Sequence, residues 1–238
     1  MIDRRIHYYL ALDTETANTM DDPLVYDIGG VVTDKNGHVY EKFSFVIRDV
    51  FVYERDMMHS AYYSHKVPEY VEDIQAGKRE IVSFYEARRH ILSLMNKYNI
   101  HEVAAYNASF DRNALNTTQR WLTKSKYRYF FPYGTKFICI WNMACQTICQ
   151  RTTYKYFCEE NNFTCNRKEA PDAKNYSTSA ETVYRYLTLS PQYQEEHKGY
   201  NDVMIEIAIM RACFRSHKAL PHGKGIRRRC WMDIKREI

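Results

Sequence analysis

The chain has 238 residues, 45% hydrophobic and 26% charged, the composition of an ordinary globular protein with one sizeable domain. No apolar run approaches a membrane span and the N-terminus lacks the apolar stretch of a secretory signal, so a cytoplasmic protein without a membrane partner is expected. The formal net charge is +5, and residues 216–238 alone hold seven Lys or Arg against two acids, while the rest balances at 27 of each.

That asymmetry divides the chain into a domain over 1–215 and a basic C-terminal tail over 216–238. Such a tail can follow a phosphate backbone through counterion release, or serve only to solubilise. Seven cysteines cannot all pair within one chain, and none forms a Cys-x-x-Cys pair. Reduced, mostly buried thiols are expected. Cys213, His217, His222 and Cys230 match no familiar zinc spacing.

In chain order, Ile6–Leu12 reads as a buried strand ending at Asp13, and Leu24–Thr33 as a second strand rich in Val and Ile. Asp34-Lys35-Asn36-Gly37 carries the Asn-Gly signal of a tight turn, after which residues 38–48 alternate as a third strand. Residues 53–98 read as helical, with Ile81, Phe84, Tyr85, Arg88, Ile91, Leu92 and Met95 at helix spacing. His101–Tyr106 is a short strand, and a helix follows over 107–121 with Ser109 as its expected N-cap. Phe137–Trp141 is brief and apolar and leads into a helix through about Cys149. The polar stretch 159–178 reads as a loop or insertion. Helices are expected from Ser179 to Leu189, before Pro191, and from Gly199 to about Phe214. Three strands in hairpin order, the first ending in acids, open an α/β sheet with a site at one strand end.

Five residues in three separated segments carry the chemistry. Asp13 and Glu15 lie two apart on a strand, so both side chains leave the same face. Two like charges side by side repel unless a cation lies between them, and oxygen ligands favour Mg²⁺ or Mn²⁺ over zinc. Asp111 and Asp202 fall early in two helices, where the macrodipole alone favours acids. The weight therefore rests on all of them, with His197, occurring in order within matching local words.

The words are Asp13-Thr14-Glu15-Thr16, Asn107-Ala108-Ser109-Phe110-Asp111, and His197 followed by four residues and then Asp202. They resemble the three motifs of the DEDDh 3′–5′ exonucleases, the group of polymerase proofreading subunits, oligoribonuclease and RNase T. A sister group uses Tyr four positions before the last Asp; Lys198 stands there, so the register matches the histidine branch. The resemblance runs from about Ile6 to Phe214 and implies an RNase H-like fold, a mixed α/β sheet flanked by helices.

It also implies two divalent cations, Mg²⁺ or Mn²⁺, held by Asp13, Glu15, Asp111 and Asp202, with His197 as general base on a mobile, exposed loop. Thr14 and Thr16 are placed to meet the terminal nucleotide through backbone N–H or hydroxyl groups, and Asn107 to shape the site or contact the substrate backbone. The implied activity is metal-dependent 3′–5′ hydrolysis of single-stranded DNA to nucleoside 5′-monophosphates. An exoribonuclease with the same site, or a binding module without activity, are the alternatives. A proofreading role would require docking onto a polymerase carried by another chain. Ala17-Asn18, Tyr106 and Gly199-Tyr200 depart from the usual residues beside the motifs, which bears on substrate class and leaves the metal ligands intact.

Overall fold

The computed structural model describes residues 2–61, 64–123, 128–167, 170–216 and 234. Strands β1 (Tyr9–Ala17), β2 (Leu24–Thr33) and β3 (Val39–Ile47) form an antiparallel meander. The turn between β2 and β3 closes through the Gly37 N–H on the Asp34 carbonyl, with Gly37 at φ +76°. Two short helices follow, α1 (Arg48–Phe51) and α2 (Arg55–Ser60), then a 3₁₀ turn (Ser64–Lys66) and α3 (Val67–Gln75). Strand β4 (Glu80–Val82) pairs parallel to β3 and leads into α4 (Phe84–Tyr98). A capping box starts α4: the Ser83 hydroxyl accepts from the Glu86 N–H at 3.2 Å and Glu86 accepts from the Ser83 N–H at 2.8 Å.

Strand β5 (Glu102–Ala105) pairs parallel to β1 and is followed by α5 (Ala108–Leu122), β6 (Lys136–Cys139), α6 (Ile140–Thr147) and α7 (Thr152–Glu160). Strands β7 (Thr164–Arg167) and β8 (Ala170–Tyr176) make a separate two-stranded sheet. Helices α8 (Ala180–Thr188) and α9 (Gly199–Phe214) complete the domain. The main sheet is mixed, in the order β4-β3-β2-β1-β5-β6.

Every residue of β2 is buried, as expected of a strand covered on both faces. On one face Leu10 and Leu12 of β1 pack with Ala114 and Leu115 of α5. On the other, Ala11 and Val31 meet Val203 and Ile207 of α9. Helix α9 also packs on α6 and α8, so it is apolar nearly all round.

Four expectations are corrected. Strand β1 does not stop at Asp13; pairing with β2 carries it to Ala17, with Asp13 opposite Gly29 and Glu15 opposite Asp27. The helical stretch 53–98 is broken by β4, held by its pairing with Phe45–Ile47. The polar segment 159–178 contains the β7–β8 hairpin. Helix α5 begins at Ala108 with Asn107 at the cap position, which places Ser109 inside the first turn.

Of the six described cysteines, four are buried. Of the basic tail, Ile234 is described: it is buried in the α6–α8–α9 core, and its carbonyl accepts from the Tyr176 N–H at 3.3 Å. His217, His222 and Cys230 lie outside the described residues. Among the described residues no helix is long and apolar enough to cross a membrane.

Candidate active site

The short reach of β5 creates the site. Its pairing with β1 covers Leu10 and Ala11, so beyond Ala11 that side of β1 faces the N-terminus of α5 instead of another strand. Asp13 and Glu15 point to the α9 face, where Asp202 is the fourth residue of α9. Thr14 points to the α5 face, where Asp111 is the fourth residue of α5, and its hydroxyl donates to Asp111 Oδ1 at 2.9 Å. Acids in the first turn of each helix also gain from the helix dipole.

Two glycines let α9 approach so closely. A Cβ on Gly29 would lie 2.1 Å from the Gly199 carbonyl carbon and the Tyr200 nitrogen, and one on Gly199 would lie 2.7 Å from the Gly29 nitrogen. Backbone therefore rests on backbone where the helix starts. The Gly199 N–H donates to Asp27 Oδ2 at 3.1 Å, and Asp27 is held in turn by the Tyr70 hydroxyl at 2.7 Å and the Arg79 guanidinium at 2.6 Å.

These elements enclose a cavity of about 570 Å³ lined by Asp13, Thr14, Glu15, Asn107, Asp111, His197 and Asp202. Ligand atoms of Glu15, His197 and Asp202 lie within 4.8 Å of one another. Asp13 and Asp111 share the cavity without joining that tight group. Thr14 lines the cavity and its hydroxyl donates to Asp111, while Thr16 is not among the lining residues. Asn107 is exposed on the cavity wall.

His197 occupies the left-handed region at φ +48°, a conformation that costs a non-glycine residue about 1–2 kcal/mol. Its neighbours hold it there. Lys198 pairs with Glu69 at 3.0 Å and Asp73 at 3.1 Å, and the Glu196 carbonyl accepts from Lys66. The histidine is half-buried, where an exposed position was expected, and the residues on both sides of it are held by these contacts.

Sequence reasoning missed Glu206. It follows Asp202 by one turn of α9, is buried, and its Oε1 accepts from the Tyr106 N–H at 3.1 Å. Its signal was a single acid inside the apolar run Val203–Met210. Also missed were Glu195 and the aromatic wall of Tyr106, Phe110 and Trp141. The Tyr106 and Trp141 rings are stacked at 6.4 Å, and both donate to Thr178, to its carbonyl and its hydroxyl.

The electrostatics are those of crowded carboxylates. Burial, then the charge of Asp202, pushes Glu15 up to about 9; burial, then Glu195, pushes Asp202 up to about 8. Burial raises Asp111 to about 7 against the pull of the Thr14 hydrogen bond. Asp13 and Glu206 are also raised well above the carboxylate range, first by burial and then by their acidic neighbours. Burial and the nearby Lys66 lower the pKa of His197. Buried Asp202 Oδ1 and Glu206 Oε2 have no hydrogen-bond partner. Orphaned carboxyl oxygens around one cavity are what divalent cations satisfy, so these residues fit such a cofactor.

Fold and site together define an α/β protein of the RNase H-like exonuclease fold with an acid-and-histidine cavity at the edge of its central strand. Its structural neighbours include exonuclease I enzymes. The structure of exonuclease I from Methylocaldum szegediense matches with TM-score 0.50 and 18% identity, over 89% of this chain and 41% of that one. E. coli exonuclease I in complex with a 5cy-dT13 oligonucleotide matches with TM-score 0.48 and 13% identity, over 85% and 39%. Exonuclease I in complex with the inhibitor BCBP matches with TM-score 0.48 and 12% identity, over 86% and 40%. The chain thus spans about two fifths of the length of these structures. No protein-family model and no curated protein matches the sequence.

Proposed function

We propose that this protein is a metal-dependent 3′–5′ exonuclease of the DEDDh type that acts on single-stranded DNA and releases nucleoside 5′-monophosphates. The observation that carries the reading is the meeting of Glu15, His197 and Asp202 within 4.8 Å, in a cavity shared with Asp13 and Asp111. Asp13, Glu15, Asp111 and Asp202 would hold two divalent cations, Mg²⁺ or Mn²⁺. When bound, these neutralise charge developing on the phosphate and on the leaving oxygen and favour an attacking hydroxide.

The chain's own residues do the rest. Burial and Lys66 keep the His197 imidazole neutral near physiological pH, so a ring nitrogen can accept the proton of the attacking water. Its strained, doubly anchored backbone fixes the ring against Glu15 and Asp202 instead of leaving it to sample rotamers in solvent. Thr14 orients Asp111 through its hydroxyl. Tyr106, Phe110 and Trp141 offer ring faces and edges to an unpaired terminal base, a contact that tolerates every base.

Two variants test this on a single-stranded oligonucleotide. Asp13→Ala is expected to lose turnover; near-normal activity would overturn the assignment. His197→Ala is expected to slow turnover by about 10²–10⁴-fold with an unchanged metal-activation midpoint. A shifted midpoint would instead make His197 a metal ligand, in keeping with its place beside Glu15 and Asp202.

A further inference from the structure

The near-neutral balance of residues 1–215 hides a local excess. From 112 through 158 there is no Asp or Glu, while eight Lys or Arg occur. In the fold this stretch begins on α5 directly after Asp111, so it starts at the wall of the acidic cavity. The outer face of α5 and the segment before β6 form a groove of about 670 Å³, lined by Arg112, Asn113, Thr117, Arg120, Tyr129 and Tyr133 among others. Arg112 and Arg120 lie ~12 Å apart along the helix axis, and both are exposed.

Among the described residues, Arg112, Arg120, Arg128 and Lys136 form no ion pair with a carboxylate. Asp21 is the acid on the groove wall. The Arg112 guanidinium rests over the Phe137 ring at 5.5 Å, and Arg120 donates to the Thr117 hydroxyl at 2.9 Å. Both arginines are thus positioned without being neutralised.

The exposed rings are equally well supported. Tyr129 is 69% exposed and Tyr133 fully exposed, yet Phe130 and Phe131 between them are buried. The Phe130 N–H donates to Asn116 Oδ1 of α5 at 2.9 Å, and its carbonyl accepts from Arg88 Nε at 2.7 Å. Large aromatic surface held in water on a rigid support, beside unpaired guanidinium groups, matches the chemistry of an unpaired nucleic-acid strand. Phosphates take the cations and bases take the rings.

We propose that this groove carries the single strand upstream of the 3′-terminal nucleotide, with phosphates along Arg112 and Arg120 and bases against Tyr129 and Tyr133. The proposal rests on the reading of the cavity as a 3′–5′ exonuclease site. Helix α5 then serves both ends of the substrate, its first turn at the scissile phosphate and its outer face along the strand.

The test is fluorescence anisotropy of a labelled oligothymidylate of about twelve nucleotides, titrated with salt in the presence of chelator so that nothing is hydrolysed. Each lost phosphate contact removes ~0.7 from the slope of log affinity against log salt. Arg112→Gln/Arg120→Gln should therefore be shallower than wild type by ~1.4. Tyr129→Ala/Tyr133→Ala should bind at least about thirtyfold more weakly with the slope unchanged. Lys35→Gln/Arg89→Gln, of equal charge change on exposed residues elsewhere, should keep the wild-type slope. A wild-type slope in the arginine variant, or equal changes in both charge variants, would overturn the groove. Adding Mg²⁺ or Mn²⁺ to the same wild-type protein separates the two readings. Binding with the expected slopes but no shortening from the 3′ end would overturn the exonuclease reading and leave the groove as a strand-binding surface.

Discussion

Replacing Gly29 with Ala adds one methyl group under the first residue of α9. The new Cβ would sit 2.1 Å from the Gly199 carbonyl carbon and the Tyr200 nitrogen and 2.4 Å from the Gly199 oxygen, all backbone atoms that no rotamer change can move. Restoring contact at 3.4 Å requires a displacement of about 1.3 Å, the difference from 2.1 Å. Helix α9 carries Asp202 in its first turn and His197 two residues before its start, so that displacement opens the Glu15–His197–Asp202 group. It also strains the Gly199 N–H bond to Asp27. Overpacking of this size costs about 1–3 kcal/mol of stability, which a domain of ordinary stability survives folded. A misplacement near 1 Å costs a catalytic group about 10²-fold in rate. Urea unfolding and kcat on a single-stranded oligonucleotide should therefore separate, with a modest loss in the first and about a hundredfold loss in the second. Unchanged kcat in the folded variant would refute the argument that the two glycines set the site's geometry.

Arg79 is 5% exposed and pairs at 2.6 Å with a fully buried Asp27. Arg79→Met leaves that carboxylate buried without its countercharge and should cost about 3–5 kcal/mol in urea unfolding; a loss under about 1 kcal/mol would show the pair to be dispensable. Removal of metal should make stability fall with rising pH. Glu15 at about 9 and Asp202 at about 8 stand above their unfolded values near 4, so across that window the folded chain holds protons that the unfolded chain has released. Folding stability in chelator is thus greatest below about pH 4 as far as these groups decide it, and declines toward pH 9. Saturating Mg²⁺ or Mn²⁺ should flatten the decline and add about 2.7 kcal/mol at a hundredfold excess over Kd. The same pH slope with and without metal would contradict the carboxylates as its ligands.

The sequence was most legible where local pattern and long-range pairing agree. Leu24–Thr33 forms β2 with the bounds read from its Val and Ile content, because both faces are covered and the run is mostly apolar, Asp27 being its one charged residue. Gly199 starts α9 as read, since its apolar residues meet both the sheet and two helices. What escaped was set by partners distant in the chain. Strand β4 has three residues and exists through its pairing with Phe45–Ile47, so helical spacing around it masked it. The β7–β8 hairpin lacks the apolar alternation of a strand on a core, and its polar sequence reads as loop. Within the site, the acids were visible because each interrupts an apolar pattern. The Thr14–Asp111 bond spans 97 positions, so the orienting role of the Thr14 hydroxyl could be seen only after folding. Glu206 obeys the same rule as Asp202, an acid in an apolar helix, but no motif drew the eye to it.

The central claim is tested most directly by incubating the protein with a 5′-labelled single-stranded DNA oligomer and its RNA counterpart, in Mg²⁺, Mn²⁺ or chelator, and resolving the products. The account predicts a metal-dependent ladder that shortens from the 3′ end, releases 5′-monophosphates and runs faster on DNA. No shortening of either strand by folded protein with metal present would contradict it.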